Sequence, residues 1–491
     1  MRLSRLALSL LWFPVALSAT TSGCGIVRVP IGDLDPDQQP LDPDGSGAGG
    51  AGGPGGSSSR CGAPVASHPF SLDDWAATSG TSPLAITGIA FDPSGNLGMT
   101  GYTVSDVDMP GSSEYDDALL AKYDAAGNHT LSKLFGDDSN PQAGRHIVFD
   151  ADCNMFLVRW RSTSSWFDMF LDKLDSAGNP LWSKRLNAGH QADWNIRSIA
   201  VDPATGGVVF MGRYYGDLDL GGGLLPRIEN DYDPTSGYVA KLDAMGHFVW
   251  SKFSPRGSGR YTPGAIMAVD TSGQIVLAAD DSDIVEDGSG KLARFLLARL
   301  DASGNDLWSQ ELTAPLHHGS ASDSQQGLAG VAVDGDGSVI LAGNAHCDFD
   351  FGGGPLVGAN CSSDNAFVAK FDVRGGHLWS RLIEGSLASR AVSLGVDALG
   401  NTFVAGSVTG TLDADGTALG AEDEPERQFV VRLDRDGHIS WHHILSLEIS
   451  RVQGLAVDPE GNVAIVGQDA SAVNSTGWGG NIVTKLDVAA P

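Results

Sequence analysis

Ile89-Ala90-Phe91-Asp92-Pro93-Ser94-Gly95-Asn96 is a short apolar run that ends in Asp and breaks at a Gly-Asn pair. A second apolar run follows, so the stretch predicts a tight hairpin of two strands. Asp and Asn close such turns with their own side chains, and Gly supplies the positive φ. The unit returns as Ile199-Ala200-Val201-Asp202, Met267-Ala268-Val269-Asp270, Val331-Ala332-Val333-Asp334, Leu394-Gly395-Val396-Asp397 and Leu455-Ala456-Val457-Asp458. Ile147-Val148-Phe149-Asp150 is a weaker copy. Six steps separate Asp92 from Asp458, and (458 − 92)/6 gives 61 residues per step. A fixed period of this size is the mark of a repeat architecture.

A second unit alternates with the first: Lys122-Tyr123-Asp124, Lys173-Leu174-Asp175, Lys241-Leu242-Asp243, Arg299-Leu300-Asp301, Lys370-Phe371-Asp372, Arg432-Leu433-Asp434 and Lys485-Leu486-Asp487. Most copies run through a Gly turn into Trp182, Trp250, Trp308, Trp379 or Trp441, and the first has Leu131 there. Two hairpins per step make a four-stranded sheet, and seven such sheets predict an all-β, seven-bladed β-propeller of antiparallel blades. Its inner runs are small and apolar on both faces, as strands between two neighbouring sheets must be. The last Lys485-Leu486-Asp487 unit has no Trp strand after it. Trp75 precedes Asp92 by 17 residues, as Trp441 precedes Asp458. The segment from Phe70 to Trp75 is therefore expected to close the ring as the outermost strand of the last blade.

Asp458-Pro459-Glu460-Gly461-Asn462 with Gly467, and Asp92-Pro93-Ser94-Gly95-Asn96 with Gly101, resemble the bacterial SBBP β-propeller repeat. Its signature is Val-Asp-x-x-Gly-Asn-x-x-x-x-Gly, and the resemblance covers most of the chain from about residue 68. It implies a propeller in an extracytoplasmic setting and no general catalytic residue. Asp150-Ala151-Asp152-Cys153-Asn154 departs from it, with Cys153 in place of Gly.

The N-terminus predicts export. Arg2 and Arg5 precede an apolar run, Leu6 to Ala19, too short to span a bilayer. Thr21-Ser22-Gly23-Cys24 resembles the lipobox of bacterial lipoproteins, which implies a signal peptide over 1–23 and a lipid on Cys24. Plain secretion is the alternative. Residues 24–67, acidic and then Gly/Ser-rich, read as a flexible tether, and 68–491 as the propeller. The tether's Asp33, Asp35, Asp37 and Asp44 lack the central Gly of an EF-hand loop. Disulfides are allowed in such a compartment. Cys347 and Cys361 bracket one short loop and form the best pair, which leaves Cys61 with Cys153 by exclusion.

With 31 basic against 60 acidic residues the formal net charge is −29, which argues against a nucleic-acid partner and a basic membrane-binding surface. Each Lys/Arg-x-Asp pair places a base and an acid on one strand face, which suggests a repeated ion pair or turn brace. The Trp series also suggests the quinoprotein propellers, but the Asp-to-Gly spacing is one residue short and no adjacent cysteines occur. A hydrophobic staple between blades is the simpler role.

Asp217-Leu218-Asp219-Leu220-Gly221-Gly222-Gly223 recurs as Asp348-Phe349-Asp350-Phe351-Gly352-Gly353-Gly354. Looser versions lie at Asp106-Val107-Asp108 and Asp413-Ala414-Asp415, and Asp280, Asp281 and Asp283 form a further cluster. These acidic loops are expected between second and third strands. Asp217, Asp219, Asp348 and Asp350 could ligate Ca²⁺ through hard oxygens, or form solvated hairpins whose Leu and Phe pack inward. No cofactor is otherwise called for. The expected role is a monomeric, non-enzymatic cell-envelope scaffold presenting an acidic loop face to a protein or glycan. A carbohydrate hydrolase or lyase with paired carboxylates in the central funnel is the alternative.

Overall fold

The computed structural model describes residues 27–29, 84–103, 117–136, 142–162, 167–186, 195–214, 216–226, 236–254, 266–286, 291–316, 327–345, 349–356, 365–414, 417–420, 425–446, 449–469, 481–486 and 488. Among them there is no helix, and hence none long and apolar enough to cross a membrane. Seven antiparallel blades follow one another along the chain, each strand pairing with the next of its blade; in the sixth a separate two-stranded hairpin, Leu412–Ala414 with Thr417–Leu419, is inserted between the second and third strands. The first blade is Leu84–Phe91, Leu97–Thr103, Ala118–Tyr123 and His129–Phe135. The second is Gln142–Phe149, Met155–Ser162, Phe167–Leu174 and Pro180–Arg185. The third is Asn195–Val201, Val208–Tyr214, Ser236–Leu242 and Phe248–Ser254. The fourth begins at Ile266–Val269, the fifth at Gly327–Val333, the sixth at Ala388–Val396 and the seventh at Ile449–Val457.

The first strands form the inner ring, and consecutive ones touch. Thr87 Oγ1 donates to the Gly144 carbonyl (2.7 Å), His146 Nε2 to Ile196 (3.1 Å) and Ser198 Oγ to Met267 (3.3 Å). Second and third strands are buried on both faces: every residue of Leu97–Thr103, Ala118–Tyr123, Ser236–Leu242, Val339–Ala345 and Asn365–Phe371 is buried. That explains why these runs read as continuously apolar rather than alternating.

The ring closes between the last blade and the first. Ala464, Val466 and Val483 share one core with Ile86, Leu97 and Met99. Asn481 Oδ1 accepts the Ile86 amide (2.8 Å), and Lys485 Nζ donates to the Ala125 carbonyl (3.1 Å). The seventh blade shows three strands among the described residues, ending at Asn481–Leu486. The expected closing strand from Phe70 to Trp75 lies outside the described residues. The short strand Val27–Val29 instead pairs in parallel with the outer edge of the first blade, Val27 opposite Lys133.

The two ends of the ring differ. Thirteen described hairpin turns lie at one end, here the turn face, and twelve of them have five residues; 202–207 has six. At the opposite loop face, connections between second and third strands range from 4 residues (163–166) to 21 (215–235).

Candidate functional site

Each inner turn is built around its Asp. Asp92 Oδ1 accepts the Ser94 and Asn96 amides (2.9 and 3.0 Å), and Oδ2 accepts from Asn96 Nδ2 (2.8 Å). The same pattern holds at Asp150 and Asp397. The outer turns repeat it at Asp124, Asp175 and Asp301.

The bases of the Lys/Arg-x-Asp units do not brace the acid two residues on. They cross the blade to the buried Asp of the inner turn. Lys122 meets Asp92 at 2.7 Å, Lys173 meets Asp150 at 2.9 Å, Lys241 meets Asp202 at 2.6 Å and Lys370 meets Asp334 at 2.9 Å. Arg299 is bonded to Asp270. The acid at the end of the unit is already turned away to cap its own outer turn, so only the inner acid is left for the base. In the sixth blade Arg432 bonds Ser440 Oγ instead (3.0 Å). Burial raises the Asp202 carboxyl, but bonds from Lys241, Thr205 and the Ala204 amide outweigh it and hold the pKa below the usual value. Asp270 is lowered in the same way, against burial, by Ser272, the Gln274 amide and Arg299.

The same bases reach the next blade. Lys241 Nζ also donates to the Ala302 carbonyl (3.1 Å), and Lys173 Nζ to that of Ala244 (3.3 Å). The tryptophans end on these carbonyls too: Trp182 Nε1 on Ala244 (3.1 Å), Trp250 on Ala302 (3.2 Å), Trp308 on Val373 (2.9 Å) and Trp379 on Arg435 (2.9 Å). A Cβ on Gly246 or Gly304 would lie 3.0 Å from the facing indole, so the turn glycine permits both positive φ and ring contact. The Trp is thus a staple between blades. In the first blade, where Leu131 replaces it, Lys133 Nζ holds the Gly178 carbonyl instead (2.7 Å).

Cys153 keeps the turn of the second blade intact at φ 60°, a non-glycine residue in the left-handed region. It is fully buried and disulfide-bonded. The other four cysteines, including Cys61, Cys347, Cys361 and the expected lipid carrier Cys24, lie outside the described residues.

The acidic loops are wedges. Asp219 Oδ1 accepts the Gly221 and Gly223 amides (2.8 and 2.9 Å), and Asp350 Oδ1 those of Gly352 and Gly354 (2.7 and 2.9 Å). Leu218 and Leu220 are buried in the core between the second and third blades. Phe349 and Phe351 stack at 4.5 Å and join Phe295 of the fourth blade in the next such core but one. The loop leaves from Tyr214, opposite Ser236, yet a Cβ on Gly222 would strike the ring of Phe248, which lies opposite Leu242 at the other end of the blade. The hairpin therefore folds back along the flank and fills the gap that opens between diverging blades. Asp217 is exposed, while Asp348, Asp106 and Asp108 lie outside the described residues. Asp280, Asp281 and Asp283 are not in a loop: Ile275–Glu286 runs through them, with Asp281 opposite Arg294. Among the described residues no three His, Cys, Asp or Glu side chains converge as a metal site.

The second blade carries a feature the repeat spacing passes over. At the last Gly of the turn motif, where other blades have Gly101, Gly212, Ala279, Gly343, Gly406 and Gly467, it has Arg159. Arg159 is almost fully buried, bonded to Asp172 at 2.5 Å and to Gln142 at 2.8 Å, with its guanidinium 4.3 Å over Phe170. Gly144 stands opposite Arg159, whereas Ile86 and Ile196 stand opposite Gly101 and Gly212. The small and large positions have changed places across the pair, and two buried charges satisfy each other.

No protein-family model matches the chain. Over 149 residues it is 26% identical to an uncharacterised WD repeat-containing protein of Acanthamoeba polyphaga mimivirus, covering 26% of this chain and 11% of that one. Among solved structures it is similar to a puromycin hydrolase (TM-score 0.47, 15% identity, 83% of this chain and 52% of that one). It is also similar to the WD40 β-propeller domain of Doa1 (TM-score 0.44, 11% identity, 86% and 96%) and to Sqt1 from Chaetomium thermophilum (TM-score 0.41, 15% identity, 83% and 97%). The chain is a seven-bladed all-β propeller.

Proposed function

We propose that the chain is a cell-envelope β-propeller acting as a non-enzymatic binding scaffold, tethered through a lipid on Cys24 and engaging a protein or glycan through its loop face. One observation carries this reading: the repeats agree at the turn face and diverge at the loop face, from 4 to 21 residues. Insertions in a repeat protein collect on the face that binds. Interblade staples at the turn face brace the ring from which the loops project, which limits the ordering lost on association. The SBBP-like turns and the lipobox-like Thr21-Ser22-Gly23-Cys24 support the extracytoplasmic setting.

The carbohydrate-enzyme alternative loses support at the inner ring. The seven first strands contain no Asp or Glu, so its paired carboxylates would have to come from elsewhere.

A photo-crosslinking residue at Leu387, which is 53% exposed beside the loop face, and one at Leu399, 71% exposed in a turn, test the reading. In envelope extracts a discrete adduct is expected from position 387 and not from 399. Adducts at the turn face alone would reverse the orientation. Mass spectrometry of the mature N-terminus tests lipidation of Cys24.

A further inference from the structure

In a chain of net charge −29, the inner ring is cationic. Its first strands carry Arg145, Arg197, Arg390 and Arg451, with His146 between the first two. Strands disfavour Asp, so the lack of carboxylates there is ordinary; four arginines on the innermost strands are not.

Their placement is specific. First strands run from the loop face to the turn face, and all four arginines lie in the half nearer the loop face. Arg145 and Arg197 are bulge residues, skipped between Gly144 and His146 and between Ile196 and Ser198. A bulge frees a side chain from the faces of its sheet. Arg145 and Arg451 are exposed, and on the innermost strand exposure opens to the channel or its mouth. Arg145 lies 5.8 Å from the Trp160 ring. Burial lowers the pKa of His146, its bond to the Ile196 carbonyl opposes this, and the charges of Arg145 and Arg197 lower it further. Both guanidinium groups therefore bear on one imidazole. Arg145, Arg390 and Arg451 have no carboxylate partner among the described residues.

The arginines form two pairs, on the second and third blades and on the sixth and seventh. Only the first blade separates them on one side, and the fourth and fifth on the other, so the pairs stand roughly across the channel. We infer that the loop-side mouth of the channel binds a small oxyanion with a negative group at each end, one end on Arg145 and the other on Arg390 and Arg451. Guanidinium suits such oxygens because its donors are planar and always charged, and a low-dielectric channel focuses the field. The site refines the scaffold reading by naming a ligand class. Because it is tested with purified protein alone, failure to find a macromolecular partner leaves it untouched.

Calorimetric titration of the purified full chain with succinate, a bisphosphate ester and acetate, at matched ionic strength, tests it. Saturable one-to-one binding of succinate or of the bisphosphate is expected, with acetate at least tenfold weaker; which dianion binds tells carboxylate from phosphate. Arg145→Gln with Arg390→Gln should weaken that binding at least tenfold and leave the thermal midpoint of the free protein unchanged or higher. Arg435→Gln, which removes an exposed Arg435–Asp336 pair on the turn face, should leave binding intact. Three results would overturn the assignment: no saturable binding of either dianion, binding that survives the double substitution, or an equal loss in Arg435→Gln.

Discussion

Asp202 shows how one carboxylate is bound into two levels of the fold: it caps its own turn and neutralises Lys241 of the third strand, both buried. Replacing it with Asn leaves a charged Lys241 buried without a counter-ion, and should cost about 3–5 kcal/mol in denaturant unfolding. Since the Asp202 and Asp270 pKa values are lower folded than unfolded, their stabilisation is present above the unfolded value of 3.8 and is lost as pH falls through the folded ones. The contribution of these two carboxylates should therefore be flat through neutral pH and fall below about pH 4, whereas a loss that begins as pH falls through 6.5 belongs to His146, whose folded pKa is also lowered. Asp202→Asn should shrink the fall below about pH 4 and leave the earlier one in place; the reverse would overturn the assignment. Cys153 offers a cleaner backbone test. A side chain at positive φ costs roughly 1–2 kcal/mol, less the extra chain entropy that Gly carries when unfolded. Cys153→Gly and Cys153→Ser both lose the disulfide, but the Gly variant should be the more stable, by about 1 kcal/mol. Equal midpoints would mean the turn bears no such strain.

At the scale of the element, the acidic hairpins present a choice that residue types leave open. Asp-x-Asp with Gly is compatible with an ion site or a capped turn, and the path of the loop down the flank shows Oδ1 of Asp219 and of Asp350 capping the Gly turn. Phe351→Ala should cost about 3–5 kcal/mol, as for a large ring removed from a packed core. Asp350→Ala should cost only about 1 kcal/mol, through two lost amide bonds at an exposed site. With Oδ1 of both Asp219 and Asp350 accepting two amides, millimolar Ca²⁺ should raise the thermal midpoint no more than Mg²⁺ does. A Ca²⁺-specific rise would instead identify these loops as ion sites. The hairpins themselves were legible in the sequence because Asp, Gly and Asn act within five residues of chain. The partner of each Lys was not, since nothing local says that it crosses to another strand's Asp. Arg159 did leave a signal: it breaks a Gly position kept, or replaced by Ala, in every other copy. The channel arginines left a fainter one, lying upstream of the Ile-Ala-Val-Asp run where the copies cease to agree.

For the whole molecule the decisive contact is the one that makes the chain a ring. Six junctions join blades that are consecutive in sequence; the seventh joins Ile86 to Asn481, 395 residues apart, and closes late in any folding order. Asn481 also bonds Gln453 and the Gly467 carbonyl, so one side chain ties the first blade to two strands of the last. Asn481→Ala strands the Ile86 amide at the junction, a loss of about 1–3 kcal/mol. If the ring opens there first, hydrogen exchange should quicken in Leu84–Phe91 and Asn481–Leu486 while Ile275–Glu286 of the fourth blade, across the ring, keeps its protection. Equal loss of protection in the fourth blade would mean that no junction is weaker than the rest and that the propeller opens only as a whole. The first outcome fits a ring whose single long-range junction carries the Lys485–Ala125 bond but, among the described residues, none of the Trp staples that join the second to third, third to fourth, fourth to fifth and fifth to sixth blades.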